Sequence, residues 1–323
     1  MTRRIPEPGP SILGENCNLY VRDDKRPPSK QELIELIGEA DGLLCLLTDR
    51  IDRNVLDAGK NLKVISTYSV GVDHIDVEEA TRRGIYVCYT PDVLTQATAD
   101  FAWTLMMAAA RRVVEADRYV RNGEWEIGWS PDLLLGYDIY GSTLGIIGFG
   151  RIGQAVADRA MGFKMKIFYY DIVRRPELEE KMGVKYCDLD TLLKMSDFVT
   201  IHVPKVKETI GLINEERLKM MKKTAVLVNT SRGGVVDEEA LYKALTNGWI
   251  FAAGIDVFEK EPTPRENPLL KLPNLVVTPH IASATHQARS KMAEVAAKNL
   301  VNVLKGEEPL FLFNQEVRKV RSL

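Results

Sequence analysis

The chain of 323 residues has four histidines, and one of them, His280, directly follows an apolar run in the segment VVTPHIASATH. Two residues of complementary chemistry also follow apolar runs: Arg232 comes after AVLVNTS, and Glu261 lies in EKEP after FAAGIDVF. Histidine donates and accepts protons near neutral pH, a carboxylate beside it orients the ring, and arginine binds a carboxylate through two parallel hydrogen bonds. Together these residues could bind a small acid and transfer a proton at the adjacent carbon.

The other three histidines are weaker candidates. His202 lies inside FVTIHVP and is predicted to be packed at the end of a strand, whereas His286 falls in the first turn of a helix and is predicted to be exposed. His74, in GVDHID, lacks a carboxylate partner of comparable placement. No histidine pair has ligand spacing with a third donor, so no metal site is predicted. Taken singly, Arg232 and Glu261 also fit ordinary surface roles; their combination with a strand-end histidine favours chemistry.

A glycine-rich turn offers a site for a phosphate-containing cofactor. The segment TLGIIGFGRIGQAVADRAMGF contains Gly148, Gly150 and Gly153 in the spacing GxGxxG, after an apolar strand and before an amphipathic helix. The glycines permit a tight turn, close approach of a pyrophosphate and close helix packing. The free N–H groups at the start of the helix then face the phosphates. This arrangement predicts a Rossmann-type dinucleotide site.

The residue at the end of the next strand predicts which dinucleotide binds. KIFYYD ends in Asp171, whose carboxylate can accept hydrogen bonds from both ribose hydroxyls and would repel a 2′-phosphate. NAD is therefore predicted in preference to NADP. The two arginines that follow, in VRR, weaken this preference without reversing it.

The elements that would position these residues form two series. Short β-branched runs alternate with helical patterns, which predicts an α/β fold with two doubly wound parallel sheets. Strands GLLCLL, KVISTYSV and IYVCYT precede residue 92, a mostly helical segment covers 92–121, and a second series runs from TLGIIG to NLVVTP. Ligands bind at the carboxyl ends of such strands, which is where Arg232, Glu261 and His280 occur.

Bulk composition excludes several other classes. Hydrophobic residues make up 45 % and charged residues 27 % of the chain, as in ordinary globular proteins. A net charge of −2 and a pI near 6.2 give no basic footprint for nucleic acid. The four cysteines have no metal or redox spacing. With no signal peptide and no apolar run long enough to span a bilayer, the sequence predicts a cytoplasmic protein.

Five segments resemble the D-isomer-specific 2-hydroxyacid dehydrogenases, most closely the glyoxylate reductase and hydroxypyruvate reductase branch. They are SVGVDHID, LGYDIYGSTLGIIGFGRIGQAVA, VNTSRGGVVDEEAL, GIDVFEKEP and TPHIASAT. The resemblance covers nearly the whole chain. It implies NADH-dependent reduction of a small 2-oxo acid, with glyoxylate, hydroxypyruvate and pyruvate left open because one methylene changes binding by only about 1–3 kcal/mol.

The resemblance also implies a role for each matching residue. Arg232 would hold the substrate carboxylate and carbonyl, His280 would donate the proton, and Glu261 would orient His280. The remaining substrate contacts would be the backbone amides of Val70 and Gly71 and the side chain of Leu46, with Leu47 beside it. The cofactor-binding residues would be Thr95, Gly148, Gly150, Arg151, Ile152, Gly153, Asp171, Pro204, Thr230, Ser231, Asp256 and Ala282, with Asp256 near the nicotinamide carboxamide.

The same resemblance implies a domain layout and an assembly. A flavodoxin-like substrate domain would comprise 1–91 and 290–323, with a Rossmann cofactor domain, 92–289, inserted in it. A segment from 92 to about 140 would build a homodimer interface, where Trp129 either reaches the partner's active site or packs within the interface. Family members usually open with an apolar strand before a segment like TRRIPEPG, and this chain starts at that segment.

Other classes of function stay open at this stage. A D-lactate or phosphoglycerate type of dehydrogenase shares the motifs. Phosphoglycerate is the less favoured substrate, because the sequence shows neither an extra cationic residue nor a regulatory domain. A corepressor-like protein that senses the dinucleotide shares the scaffold, although this chain lacks the extra tails. A formate dehydrogenase of the same superfamily would replace Glu261, which is present here.

Overall fold

The computed structural model describes residues 1–323, which divide into two compact units. The split unit comprises Met1–Leu94 and Ala284–Leu323, and the continuous unit comprises Thr95–Ser283. The strands are β1 (Gly42–Cys45), β2 (Val64–Thr67), β3 (Tyr86–Cys88), β4 (Thr143–Ile147), β5 (Lys166–Tyr170), β6 (Lys185–Tyr186), β7 (Phe198–Ile201), β8 (Val226–Asn229), β9 (Ala252–Ile255) and β10 (Leu275–Val277). The helices are α1 (Gly9–Asn16), α2 (Lys30–Ile37), α3 (Arg53–Ala58), α4 (Val77–Arg82), α5 (Thr95–Ala110), α6 (Val113–Arg121), α7 (Arg151–Gly162), α8 (Pro176–Met182), α9 (Leu189–Met195), α10 (Glu215–Met220), α11 (Glu238–Thr246) and α12 (His286–Leu304).

The split unit contains a parallel sheet of three strands in the order β1-β2-β3. Its strands are shorter than the apolar runs that predicted them: β1 ends at Cys45 and β2 at Thr67, where the N–H of Tyr68 still donates to the carbonyl of Cys45. Helix α12 packs against this sheet, where the Ser66 hydroxyl donates to the carbonyl of Ala296. The residues after each strand are therefore loops, and the loops after β1 and β2 carry Leu46 and Gly71.

The continuous unit contains a parallel sheet of seven strands in the order β10-β9-β8-β7-β4-β5-β6. Strands β7, β8 and β9 are buried along their whole length, because helices cover both faces of the sheet. Leu192 and Leu241 pack on one face, and Ala102 and Val156 pack on the other. The strand order reverses between β4 and β7, and ligands bind at this point in doubly wound sheets. The α/β class with parallel sheets is as predicted.

The segment 92–121 is not one helix. It forms α5 and α6, which are separated at Arg112, a residue with a left-handed backbone (φ 53°). The carbonyl of Ala110 accepts a hydrogen bond from the N–H of Tyr137 instead of continuing the helical ladder. Arg112 pairs with Glu115 in the first turn of α6. A tertiary hydrogen bond thus ends α5 where the apolar stripe alone predicted continuation.

No helix in the structure combines the length and the apolar composition that a membrane span requires.

Candidate active site

The three candidate catalytic residues follow three adjacent strands of the continuous unit. Arg232 follows β8, Glu261 follows β9 and His280 follows β10, and these strands pair in parallel in that order. Carboxyl ends of neighbouring parallel strands lie at one edge of a sheet. The structure therefore brings together the residues that the sequence placed apart.

His280 and Glu261 form a hydrogen-bonded pair. The Nδ1 atom of His280 lies 2.7 Å from Oε2 of Glu261, and Oε1 of Glu261 accepts the N–H of Phe258 at 2.9 Å. Their side chains are 25 % and 29 % exposed, so a ligand can reach them. Because Nδ1 faces the carboxylate, Nε2 is the ring nitrogen that can exchange a proton with a ligand.

The charge state of Glu261 follows from its neighbours. Burial alone raises the pKa of Glu261, but the hydrogen bond and the charge of His280 lower it, with further lowering by the N–H of Phe258 and the charge of Arg232. The net pKa lies below the ordinary value of a glutamate. Glu261 is consequently a carboxylate at neutral pH and can accept a hydrogen bond from Nδ1 of His280.

Asp256 anchors the loop that carries His280. Its side chain is fully buried and accepts hydrogen bonds from the Thr278 hydroxyl at 2.6 Å and from the N–H groups of Ile281 and Ala282, both at 2.8 Å. His280 itself has a left-handed backbone (φ 55°), a conformation that residues other than glycine adopt rarely. The three hydrogen bonds to one carboxylate stabilise this loop and so fix the position of the imidazole.

A second anchor holds Arg232. The side chain of Asn229 accepts from both the N–H and the hydroxyl of Ser231 and donates to the carbonyl of Arg232 at 3.0 Å. Gly233 passes so close to the next loop that a Cβ atom would lie 1.7 Å from the carbonyl oxygen of Phe258. This approach, which only glycine permits, packs the Arg232 loop against the loop that leads to Glu261.

The glycine-rich turn leaves the start of α7 available for an anion. Three other helices of the continuous unit, α9, α10 and α11, begin with a side chain that accepts one of their own N–H groups. Helix α7, like α6 and α8, has no side-chain cap, and it begins directly after Gly150 of the glycine-rich turn. Gly148 has a φ of 91°, and a Cβ atom there would lie 2.6 Å from the carbonyl of His202. The uncapped N–H groups suit a phosphate.

Asp171 lies at the end of β5, beside this turn. Its Oδ2 accepts the N–H of Phe149 at 2.6 Å, and its Oδ1 accepts the N–H of Val173 at 3.1 Å. Arg174 does not approach this carboxylate through a hydrogen bond but pairs with Glu179 through two nitrogens, at 2.8 and 2.9 Å. The first of the two arginines in VRR is thus engaged elsewhere.

The other predicted cofactor residues also belong to the continuous unit. Thr95 is the first residue of α5, Arg151 and Ile152 form the first turn of α7, and Pro204 follows β7. Thr230 is buried, and its hydroxyl has no hydrogen-bond partner in the protein. An orphaned hydroxyl, an uncapped helix start and a carboxylate at the end of β5 together fit a dinucleotide with phosphate and ribose groups.

The predicted substrate residues of the split unit lie on two loops. No protein group accepts a hydrogen bond from the N–H of Val70 or of Gly71, both of which are half-buried. Two adjacent N–H groups of this kind suit a carboxylate. Leu46 and Leu47 are half-buried after β1, where Asp49 accepts the N–H of Leu46 at 2.8 Å.

The remaining histidines have different surroundings. His202 contacts the Thr200 hydroxyl at 2.9 Å, and burial lowers its pKa to about 3. His74 is buried and contacts the Thr67 hydroxyl at 3.0 Å. His286 is the first residue of α12 and is exposed, as predicted.

Sequence reasoning missed two anchors of this site. Asn229 was not singled out, and Asp256 was assigned to the cofactor alone, although its carboxylate holds the His280 loop. A polar residue directly at the end of an otherwise apolar strand, as in VLVN and AGID, was the available signal.

Known proteins are similar to this chain in both sequence and structure. Residues 103–282 match the model of the D-isomer specific 2-hydroxyacid dehydrogenase NAD binding domain. A glyoxylate reductase of Korarchaeum cryptofilum is 58 % identical over 99 % of this chain and 97 % of its own. A D-lactate dehydrogenase of Aquifex aeolicus, solved with NAD and lactic acid, superposes with a TM-score of 0.82 at 31 % identity and 94 % coverage of both chains.

A second solved structure extends the comparison. It is an NADPH-dependent glyoxylate/hydroxypyruvate reductase of Sinorhizobium meliloti in complex with NADP and malonate, with a TM-score of 0.87, 32 % identity and coverage of 98 % of this chain and 95 % of its own. Three of these four similarities cover more than nine tenths of this chain, and the fourth covers its nucleotide-binding portion. The chain belongs to the D-isomer-specific 2-hydroxyacid dehydrogenases, a family of enzymes with a nicotinamide-dinucleotide-binding domain.

Proposed function

We propose that the protein reduces a small 2-oxo acid, glyoxylate or hydroxypyruvate, to the 2-hydroxy acid with NADH. The observation that carries the proposal is the pair of His280 and Glu261, whose Nδ1 and Oε2 atoms lie 2.7 Å apart. The positive charge of Arg232 is close enough to lower the pKa of Glu261. This is a proton donor, its orienting carboxylate and a cation for the substrate. Bound dihydronicotinamide would supply the hydride.

Each residue then has a step to perform. Arg232 binds the substrate carboxylate and polarises the 2-oxo group. As C2 receives a hydride, the carbonyl π-electrons move to oxygen, and His280 donates its Nε2 proton to that oxygen. The ring is left neutral, and Glu261 retains the Nδ1–H hydrogen bond that keeps Nε2 aimed at the substrate. A proton from solvent restores the imidazolium for the next turnover.

The substrate range follows from two loops of the split unit. The N–H groups of Val70 and Gly71 receive the carboxylate, and Leu46 and Leu47 wall the side-chain end of the pocket. A hydrogen or a hydroxymethyl group fits beside leucines, whereas a phosphorylated side chain would need an additional cation. The names of the relatives, glyoxylate reductase in Korarchaeum cryptofilum and glyoxylate/hydroxypyruvate reductase in Sinorhizobium meliloti, support this range.

The cofactor choice rests on Asp171. A carboxylate at the end of β5 accepts hydrogen bonds from ribose hydroxyls and repels a 2′-phosphate. Arg174, which could bind a 2′-phosphate, is paired with Glu179 through its Nε and Nη2 atoms. NADH is therefore proposed as the preferred cofactor, with NADPH a poorer one. In this proposal Asp256 and Ala282 lie near the nicotinamide, and Pro204 and Ser231 contact other parts of the cofactor.

The experiment is a panel of glyoxylate, hydroxypyruvate and pyruvate, each assayed with NADH and with NADPH. Glyoxylate and hydroxypyruvate should give the highest kcat/KM, NADH should exceed NADPH, and hydroxypyruvate should yield D-glycerate on chiral chromatography. A higher kcat/KM with pyruvate would favour a D-lactate type of enzyme. Binding of NADH without turnover of any 2-oxo acid would overturn the proposal in favour of a dinucleotide-sensing protein.

We also propose that the protein forms a homodimer through a segment that lies in the region 92–140. Large apolar side chains are concentrated there in exposed positions, which is unusual for a free surface. Those more than half exposed are Val113, Val120, Trp125, Ile127, Trp129, Leu135 and Tyr140. A groove of about 400 Å³ beside Arg112 and Phe251 adds concave surface nearby. Sedimentation should give twice the mass of one chain, and a monomer would contradict this assembly.

Two further assignments complete the proposal. Residues 1–91 and 290–323 are proposed as the substrate domain and 92–289 as the cofactor domain, since the candidate catalytic and dinucleotide residues all lie in the second range. A cytoplasmic location is proposed because all four cysteines are free thiols.

A further inference from the structure

A chain of buried hydrogen bonds lies behind the loop that carries Val70 and Gly71. Nε2 of His74 lies 3.0 Å from the Thr67 hydroxyl, this hydroxyl lies 2.7 Å from that of Ser69, and the Ser69 hydroxyl donates to the carbonyl of Gly71 at 2.7 Å. The exposed fractions of Thr67, Ser69 and His74 are 0 %, 4 % and 9 %. Water therefore has little access to these groups.

The direction of each hydrogen bond follows from the far end of the chain. A carbonyl oxygen only accepts, so the single proton of Ser69 is directed to Gly71. Ser69 must then accept from Thr67, and Thr67, having used its proton, must accept from His74. The Nε2 atom of His74 therefore carries a proton. All three donors point the same way, which strengthens each bond through polarisation.

The backbone also holds His74 in place. Its carbonyl accepts the N–H of Ile51 at 2.9 Å, and the next residue, Ile75, donates its own N–H to Val72 at 2.9 Å. The thiol of Cys45 lies 4.0 Å from Nε2, and burial raises its pKa above the ordinary value, so it stays neutral. The imidazole thus has a fixed ring position.

We infer that His74 is a positioning residue for the substrate carboxylate. Through Thr67 and Ser69 it holds the Gly71 carbonyl on the inner side of the loop. With that peptide fixed, the adjacent N–H groups of Val70 and Gly71 keep their orientation toward an anion. The inference rests on the proposed function, because it concerns the carboxylate-binding loop of that reaction.

A positioning role of this kind acts on substrate binding more than on chemistry. His74→Leu should raise the KM for glyoxylate about tenfold, as expected for loss of one buried hydrogen bond, and should leave kcat and the Kd of NADH within about twofold. His74→Gln retains an N–H donor near the position of Nε2 and should restore most of the KM. His286→Leu, which removes an exposed histidine, is the matched control and should change none of these constants.

Ser69→Ala interrupts the same chain without touching the imidazole and keeps the test open should His74→Leu fold poorly. It should raise KM by a similar factor, and the double variant should be no worse than either single variant, because residues in one network are not additive. Additive effects, an unchanged KM in both single variants, or equal losses of KM, kcat and NADH affinity would overturn the inference.

A readout without substrate separates this inference from the proposed function. Nitrogen chemical shifts of the His74 ring should show a proton on Nε2, and hydrogen exchange of residues 68–74 should accelerate in His74→Leu but not in His286→Leu. A ring with Nε2 unprotonated would overturn the inference even if the enzyme reduces glyoxylate. Failure of the protein to reduce any 2-oxo acid would overturn the proposed function while leaving this result intact.

Discussion

Two histidines of the continuous unit occupy similar places and have opposite properties. His202 directly follows β7 and His280 follows β10, both at carboxyl ends of one parallel sheet. His202 faces the Thr200 hydroxyl, and burial lowers its pKa to about 3, so it is neutral at physiological pH. His280 faces the Glu261 carboxylate and remains a quarter exposed. The partner of the ring, rather than its position in the sheet, distinguishes the histidine that can donate a proton.

Replacement of His280 is the strongest test of this contrast. His280→Gln retains a polar side chain of similar length but cannot donate a proton as an acid, so kcat should fall by about 10²- to 10⁴-fold. The Kd of NADH, measured by fluorescence titration, should stay within about twofold. Turnover close to that of the unaltered enzyme would remove His280 from the mechanism.

Replacing the Glu261 carboxylate with an amide would give His280 a neutral partner, as His202 has. Glu261→Gln keeps a hydrogen-bond partner but removes the charge, and kcat/KM for reduction at neutral pH should fall about 10- to 100-fold. The amide also offers an N–H group that can turn toward Nδ1 and misorient the ring. Unchanged kcat/KM in a folded variant would show that the charge of Glu261 plays no part in the reaction.

Asp256, which holds the His280 loop, provides a further test of how His280 is positioned. In Asp256→Asn one carboxylate oxygen becomes an NH2 group, which cannot accept the backbone N–H that faces it and repels it, so the loop should relax and kcat should fall about tenfold. Thr278→Val removes one of the three hydrogen bonds and is the milder control. Unchanged kcat in Asp256→Asn with an increased Kd of NADH would instead assign Asp256 to the nicotinamide carboxamide alone.

His202, whose ring faces a hydroxyl rather than a carboxylate, should matter least for catalysis. His202→Gln keeps a donor for Thr200 and removes no charge at neutral pH, so kcat and KM should change by no more than about twofold, in keeping with the small effect of exchanging one satisfied hydrogen bond for another. Thermal unfolding, followed by circular dichroism, would register any loss of packing. A hundredfold loss of kcat in a stable variant would break the contrast between the two histidines.

The sequence predicted the convergence of Arg232, Glu261 and His280 because a parallel sheet brings successive strand ends to one edge. Tertiary contacts in loops were not predictable in the same way. The Asp256 hydrogen bonds, the Asn229 turn and the chain from His74 join residues without any periodic pattern. Strand β6, two exposed residues at the sheet edge, is too short to give an apolar signal.

The break between α5 and α6 has the same origin. The apolar stripe of 92–121 predicted a mostly helical segment, and both helices exist, but the carbonyl of Ala110 is taken by Tyr137. A partner 27 residues further along the chain cannot be inferred from helical periodicity. Local patterns thus predicted which elements form, and long-range hydrogen bonds determined where they stop.

All candidate groups for proton transfer and for the dinucleotide lie in one uninterrupted stretch of chain, Thr95–Ser283. The residues proposed to select the substrate side chain lie outside it, after β1, and so do the two N–H groups after β2 that are proposed to contact the carboxylate. Evolution or a protein engineer can therefore alter substrate preference by exchanging two short loops near Leu46 and Gly71. The stretch Thr95–Ser283, with its catalytic and dinucleotide residues, would stay the same.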